Sequence, residues 1–289
     1  MLRTGKIGKS AGLLKMKPNS DKLPIKAIAF AGCSFTWGQG LYYYSNLPTL
    51  VEPQAYVYDR SALKETHIEF MKSVRFPRLV ANHFETFELT QPFNGGATYS
   101  ILDWWKCAFS EKDNALQDYP TLRYDYSDIS HVVYQCTQWQ RSHSMIVDTG
   151  QSSHWNYYTN HKEIFFNWLE KNNMSIDQYF EKAKQQDISD IKEVLQNFEN
   201  HGVKTSILTW PEDLVSTIKN DNWLKERYID FEYDGTTYGS IESLIENNKY
   251  LETINDYENF IEPPKDGHPS LKCHKIIAEN IIRKLVCIK

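Results

Sequence analysis

The sequence predicts an α/β fold, a three-layer α/β/α sandwich in which helices cover both faces of a central, mainly parallel sheet that carries loop insertions. Three observations predict it. Short strand-like runs alternate with segments of helical spacing along the chain. The first run, Ile25–Ala31 (IKAIAFA), is apolar enough to be buried on both faces, as parallel strands are. Finally, the 289 residues are 41% hydrophobic, enough for one sizeable core, with no internal repeat or Pro/Gly/Ser-rich linker to divide it.

The elements follow in order. Residues 1–23 read as an N-terminal extension and 24–289 as a single domain, with insertions near 42–75, 137–200 and 211–264. Gly32 ends the first strand. Residues 42–75 are aromatic and irregular and read as a long loop. Arg75–Phe84 spaces Phe76, Leu79, Val80 and Phe84 as a helix does, with Pro77 in its first turn. Thr86–Thr90 is a second strand, Asn94-Gly95-Gly96 a turn, and Tyr99–Phe109 a helix. His131–Cys136 (HVVYQC) is a third strand, and 137–160 reads as loop. Helices are expected at about 161–185 and 188–200, the second stopped by Gly202. Val203–Trp210 is a fourth strand, ended by Pro211. Ser270–Cys287 is amphipathic, with Ile276, Ile277, Ile281 and Leu285 on one side.

Composition narrows the function. Net charge is −5, and no basic stripe could neutralise a run of phosphates, so nucleic acid is not expected as a partner. The local excess of Arg3, Lys6, Lys9, Lys15, Lys17 and Lys22 reads as a solvated tail. No apolar run reaches the roughly 18 residues of a membrane helix, and the N-terminus lacks the apolar run of a secretory signal. Five scattered cysteines (Cys33, Cys107, Cys136, Cys273, Cys287) fit neither a disulfide framework nor a zinc knuckle and read as free thiols. A cytoplasmic protein without cofactor or membrane partner is therefore expected.

Ligands of parallel sheets sit at the carboxyl ends of the strands, and three features fall there. Gly32-Cys33-Ser34-Phe35-Thr36-Trp37-Gly38 directly follows the first strand. A serine there can use free N–H groups at the start of the next helix to bind an oxyanion; it can equally be a plain helix cap. Asp266-Gly267-His268-Pro269 precedes the last helix. A serine hydroxyl needs a base to take its proton, and an acid usually holds that base's tautomer; the alternative is an ordinary Asp-Gly turn. His274 would lie inside the helix and reads as structural. Asn94-Gly95-Gly96-Ala97 can aim a backbone N–H into the site with no side chain in the way.

Other chemistries fit less well. In Gly38-Gln39-Gly40 the third glycine of a dinucleotide fingerprint is replaced by Tyr43. Thr36 replaces the last glycine of a G-x-S-x-G elbow. His143, His154 and His161 share no helical face suited to a metal, and no metal is expected.

Together these segments resemble the SGNH/GDSL hydrolase family. GCSFTWG is similar to its first block, FPRLVANHF and NGGATYS to its helix and second block, HVVYQCTQ to its third, and DGHPSLKCHKIIAENI to its fifth. The resemblance spans roughly residues 25–140 and 200–287 and implies a flavodoxin-like sheet. It makes Ser34 the nucleophile, with its own N–H in the oxyanion hole, His268 the base, Asp266 its orienting partner and Gly96 a second oxyanion donor. Only Gly267 separates Asp266 from His268 where the family has two residues, so Glu262 or a backbone carbonyl is an alternative partner. The family's Gly-x-Asn is here Cys136-Thr137-Gln138, which makes Gln138 the side-chain donor.

The implied activity is a serine esterase acting on a small-molecule or carbohydrate ester, such as a sugar O-acetyl group. Trp37, Tyr42, Tyr43, Tyr44, Trp139, Trp155, Tyr157 and Tyr158 are candidates for a sugar-stacking rim. The alternative is a catalytically weak or inactive SGNH-like binding or structural module, since the motif set also resembles SGNH-like proteins of tailed bacteriophages, where the chain would be a virion or assembly component.

Overall fold

The computed structural model describes residues 26–38, 40–41, 65–90, 97–109, 124–146, 152–252 and 268–287. Four strands form the sheet: β1 (Ala27–Ala31), β2 (Glu88–Thr90), β3 (Ile129–Cys136) and β4 (Lys204–Thr209). Their order is β2-β1-β3-β4, and every pair is parallel. Phe30 lies opposite Thr90 on one side and Val133 on the other. The chain steps outward from β1 to β2 and then returns to place β3 on the other side of β1. That reversal makes the carboxyl ends of β1 and β3 the switch point of the sheet, the place where such sheets bind ligands.

The helices are α1 (Ser34–Trp37), α2 (Glu65–Val74), α3 (Phe76–His83), α4 (Thr98–Ala108), α5 (His154–Asn160), α6 (Lys162–Lys171), α7 (Ile176–Asn200), α8 (Val215–Asn220), α9 (Asn222–Arg227), α10 (Ile241–Asn247) and α11 (Leu271–Cys287). Successive side chains of a strand point to opposite faces, and β1 shows the consequence. Ile28 and Phe30 pack with Phe76 and Val80 of α3 and Ile277 and Ile281 of α11. Ala29 and Ala31 pack on the other face with Ile101 and Trp105 of α4 and Ile191 and Leu195 of α7. The fold is thus the expected three-layer α/β/α sandwich. The small alanines let the aromatic-rich α4 approach; Trp105 stacks on Phe109 with centroids 5.2 Å apart.

Several local expectations change. Within 42–75, residues 65–74 form α2 rather than loop, because His67 and Met71, four apart, are buried on one face. The break between the two long helices falls at 172–175, not at 186–187. Asn173 takes a left-handed φ of 45°, and Ser175 opens α7 with a reciprocal capping box to Gln178. Asp187 consequently lies inside a continuous 25-residue helix. The 137–160 stretch contains α5, capped by Ser153. Residues 211–252 hold α8, α9, α10 and an antiparallel hairpin of β5 (Phe231–Tyr233) and β6 (Thr236–Tyr238). No described helix is long and apolar enough to cross a membrane.

Candidate active site

The site is built where β1 stops. Beyond Ala31 the chain must turn sharply beneath β3. A Cβ on Gly32 would lie 2.1 Å from Thr36 Oγ1 and 2.7 Å from Gln135 Oε1, so only glycine fits. Cys33 is extended (φ −95°, ψ −153°), Ser34 opens the single turn of α1, and Gly38 closes it at φ 88° with its N–H donating to Ser34 O at 2.9 Å.

Two buried side chains fix this turn. Gln135 of β3 places Oε1 among three donors: Cys33 N at 3.2 Å, Cys33 Sγ at 3.3 Å and Thr36 Oγ1 at 3.0 Å. A backbone N–H can only donate, so the amide oxygen must face the turn; Nε2 donates instead to Cys136 O at 2.5 Å. Arg75 holds the other end. Its Nη1 donates to Trp37 O at 3.1 Å and its Nη2 to Glu88 Oε1 at 2.8 Å, with Arg78 also reaching Glu88 at 3.0 Å.

The last helix supplies the opposing group. Ser270 caps α11 by accepting from Cys273 N at 3.2 Å, and its own N–H donates to Leu251 O at 2.7 Å. These bonds anchor the preceding His268, whose Nε2 lies 2.9 Å from Ser34 Oγ. Both residues are 8% exposed. The imidazole lies against the face of Phe35 (centroids 4.8 Å, 23° between planes), which stacks on Trp210 at 3.9 Å. Trp210 directly follows β4 and is held by its N–H donating to Cys136 O at 3.0 Å. The ends of β1, β3 and β4 and the start of α11 therefore converge on one hydroxyl–imidazole contact.

Of the sequence-predicted residues, Ser34 and His268 meet. Asp266, Gly96 and the alternative Glu262 lie outside the described residues. Gln138 sits at the end of β3 as the cap of a 3₁₀ turn, Trp139–Arg141. Its side chain makes no hydrogen bond to the serine turn; the amide that does so is Gln135, three residues earlier. Nothing local in HVVYQC marks Gln135 for that role, because a strand residue's partners depend on register. His274 is fully buried and accepts from Phe76 N at 3.2 Å through Nδ1, the structural role expected of it.

The expected aromatic rim is only partly surface. Trp139 is 3% exposed and donates through Nε1 to Asp213, and Tyr157 is 2% exposed, so both belong to the packing; Trp155 and Tyr158 are exposed. Tyr42, Tyr43 and Tyr44 lie outside the described residues. The three histidines weighed as metal ligands are engaged separately. The His143 ring tilts against Tyr99, His154 Nδ1 contacts Tyr179 OH at 2.7 Å, and the His161 ring tilts against Tyr157. Among the described residues no cluster of three His, Cys, Asp or Glu side chains could hold a metal. Cys33, Cys136, Cys273 and Cys287 are free thiols.

No family model and no curated protein matches the chain. Carbohydrate esterases are among the solved structures to which the chain is similar. One is a carbohydrate esterase with divergent catalytic and non-catalytic binding functions (10% identity, TM-score 0.37, covering 93% of this chain and 71% of that one). Another is a carbohydrate esterase family 2 enzyme with a carbohydrate-binding domain from Corynascus thermopiles (Myceliophthora fergusii), at 13% identity and TM-score 0.42, covering 92% and 68%. At such identity neither speaks to activity or substrate.

Proposed function

We propose that this chain is a serine-dependent ester hydrolase that cleaves an O-acyl ester through an acyl-serine intermediate. The observation that carries this reading is the 2.9 Å contact between Ser34 Oγ and His268 Nε2 across 234 residues of sequence. A contact of that length at a strand end is the nucleophile–base geometry acyl transfer requires.

The Ser34 hydroxyl gives its proton to His268 Nε2 as Oγ forms a bond to the acyl carbon. The Ser34 N–H, with Gly96 N–H and Gln138 as the further donors, holds the oxyanion. The C–O bond to the alcohol then breaks, and the leaving oxygen takes the proton from Nε2. Water repeats the sequence: it loses a proton to Nε2, attacks the acyl carbon, and releases the acid as Ser34 Oγ is reprotonated. Asp266 orients the imidazole from the Nδ1 side. Phe35 and Trp210 add to that orientation, since the face of a stacked ring favours the imidazolium formed at each step. A sugar O-acetyl ester is the first natural substrate to try, with exposed Trp155 and Tyr158 as surfaces for a sugar ring.

The test is labelling with a fluorophosphonate probe together with hydrolysis of p-nitrophenyl acetate. Labelling and turnover that Ser34→Ala abolishes are expected. A folded wild-type chain that neither labels nor hydrolyses overturns the reading in favour of a non-catalytic SGNH-like module.

A further inference from the structure

The end of the sheet opposite Ser34 holds a cavity that the acyl-transfer scheme does not use. Strand register builds it: Ile28 of β1 lies opposite His131 of β3, and His131 lies opposite Lys204 of β4. Residues in such a row share one face of the sheet. It is the face covered by α3 and α11, with which Ile28 packs. The cavity measures about 400 Å³, a size that takes a small molecule. Its wall combines Lys26, His131 and Lys204 with apolar Ile28, Phe84 and Leu285, and includes no carboxylate among the described residues.

Two hydroxyls on the wall are engaged in tying the backbone together. Ser130 Oγ donates to Ala27 O at 3.1 Å, and Thr86 Oγ1 to Lys26 O at 2.5 Å. His131 has no such task. It is 8% exposed, and its Nε2 is buried with no hydrogen-bond partner among the described residues. An unpartnered buried N–H costs stability, and an apolar side chain would fill this row better. Burial, with the Lys204 ammonium beside it, lowers its pKa to about 4, so the ring is neutral and can carry its proton on Nε2. The χ2 torsion of histidine is soft, so a small rotation presents that N–H to an acceptor in the cavity.

We propose that this cavity binds a small amphipathic carboxylate, its head group against Lys26, Lys204 and His131 and its apolar chain against Ile28, Phe84 and Leu285. Ammonium groups on a wall without a carboxylate select an anion. The imidazole adds one directed donor. The apolar residues favour a carboxylate with a hydrocarbon chain over a bare oxyanion, which leaves their surface uncovered. The site stands independently of the ester-hydrolase reading, because it shares no residue with the Ser34–His268 contact.

The experiment titrates the full chain with hexanoate by calorimetry and follows the histidine ring signals by NMR, with His131 assigned from the signal lost in His131→Leu. Saturable binding at one site is expected, with a Kd of ~1 mM or tighter, together with a shift of the His131 signal. Inorganic phosphate, which has charge without a chain, and hexanol, which has a chain without charge, should each bind at least about tenfold more weakly. His131→Leu and Lys204→Met should each weaken hexanoate about tenfold, the scale of one lost hydrogen bond to a charged partner. If His131→Leu does not fold, Lys204→Met, at an exposed position, carries the same expectation. Absence of saturable hexanoate binding overturns the proposal. So does wild-type affinity in the folded variants, which places the ligand elsewhere, as at the serine site. Phosphate binding as tight as hexanoate overturns the amphipathic ligand.

Discussion

Two buried histidines, six residues apart, occupy regions that look alike and differ in one respect. His268, before α11, lies against Phe35 with centroids 4.8 Å apart and planes 23° apart; His274, inside α11, lies against Phe76 at 5.6 Å and 22°. Both are buried. The difference is the partner. His268 Nε2 meets a serine hydroxyl, which can surrender its proton. His274 Nδ1 meets the backbone N–H of Phe76, one of the orphan donors at the start of α3, which cannot. Burial, reinforced by the nearby Arg75 guanidinium, pulls the His274 pKa down to about 3, so it stays a neutral acceptor. Burial and ring stacking therefore do not mark a reactive histidine; the acidity of what it touches does.

The sharpest way to break this comparison is substitution at both positions. His268→Ala and Ser34→Ala should each lower kcat by about 10⁴-fold or more with little change in Tm. His274→Ala should do the reverse, costing about 2–4 kcal/mol through the unpaired Phe76 N–H and the space left behind, with near-normal kcat in the folded fraction. Full esterase activity in His268→Ala would falsify the base assignment.

Acid pH should separate the two classes next. His274 has its pKa lowered to about 3, and His131 and His154 theirs to about 4, chiefly by burial. Their folded values lie below the unfolded value near 6.5, so the stability they contribute is present above about pH 6.5 and is lost as pH falls toward 4 and 3, at most about 3–5 kcal/mol for each group. Asp187 runs the other way: its value is raised to about 6, so its contribution is present at low pH and lost as pH rises through about 6. With three groups against one, Tm should fall between pH 6.5 and 4. His274→Gln, which keeps an acceptor for Phe76 N–H, should make that decline shallower; an unchanged slope in thermal melts would rule out His274 as a contributor.

Smaller effects sharpen the site side. Gln135→Leu removes the acceptor of Cys33 N and Thr36 Oγ1 and should lower kcat about 10²-fold by loosening the serine turn. A kcat within twofold of wild type would mean that Arg75 and the two glycines hold the turn without it. Phe35→Leu keeps apolar volume but removes the ring between His268 and Trp210. It should cost about 1 kcal/mol, or roughly fivefold in kcat. A kcat equal to that of wild type would limit Phe35 to packing.

Much of the frame was legible in the sequence. The four strands appear where IKAIAFA, TFELT, HVVYQC and VKTSILTW place them, three of them trimmed by two residues and the third extended by two at its start. Ser34 and His268 were legible because each sits in a short segment with its own punctuation, glycines around the serine and an Asp-Gly turn and helix cap at the histidine. The helix break at 172–175 was missed because Asn172 and Asn173 are weaker signals than Gly or Pro. Asp187, a polar residue in the buried stripe of α7, is accounted for only by its contacts with Thr98 and Ser142. Trp139 and Tyr157 looked like rim residues because aromatic content does not reveal which way a ring points.

The sequence by itself determined what local chemistry can determine: which segments become strands, where the chain must be glycine, and that a serine and a histidine each stand at a loop beside the sheet. The tertiary structure alone decided which of these residues meet. The order β2-β1-β3-β4 brings the ends of β1 and β3 together, so Gln135 reaches the serine turn over about a hundred residues and His268 reaches Ser34 over 234. Those distances are set by strand register and by packing on both faces of the sheet, and such non-local terms leave no trace in the short windows from which periodicity and motifs are read.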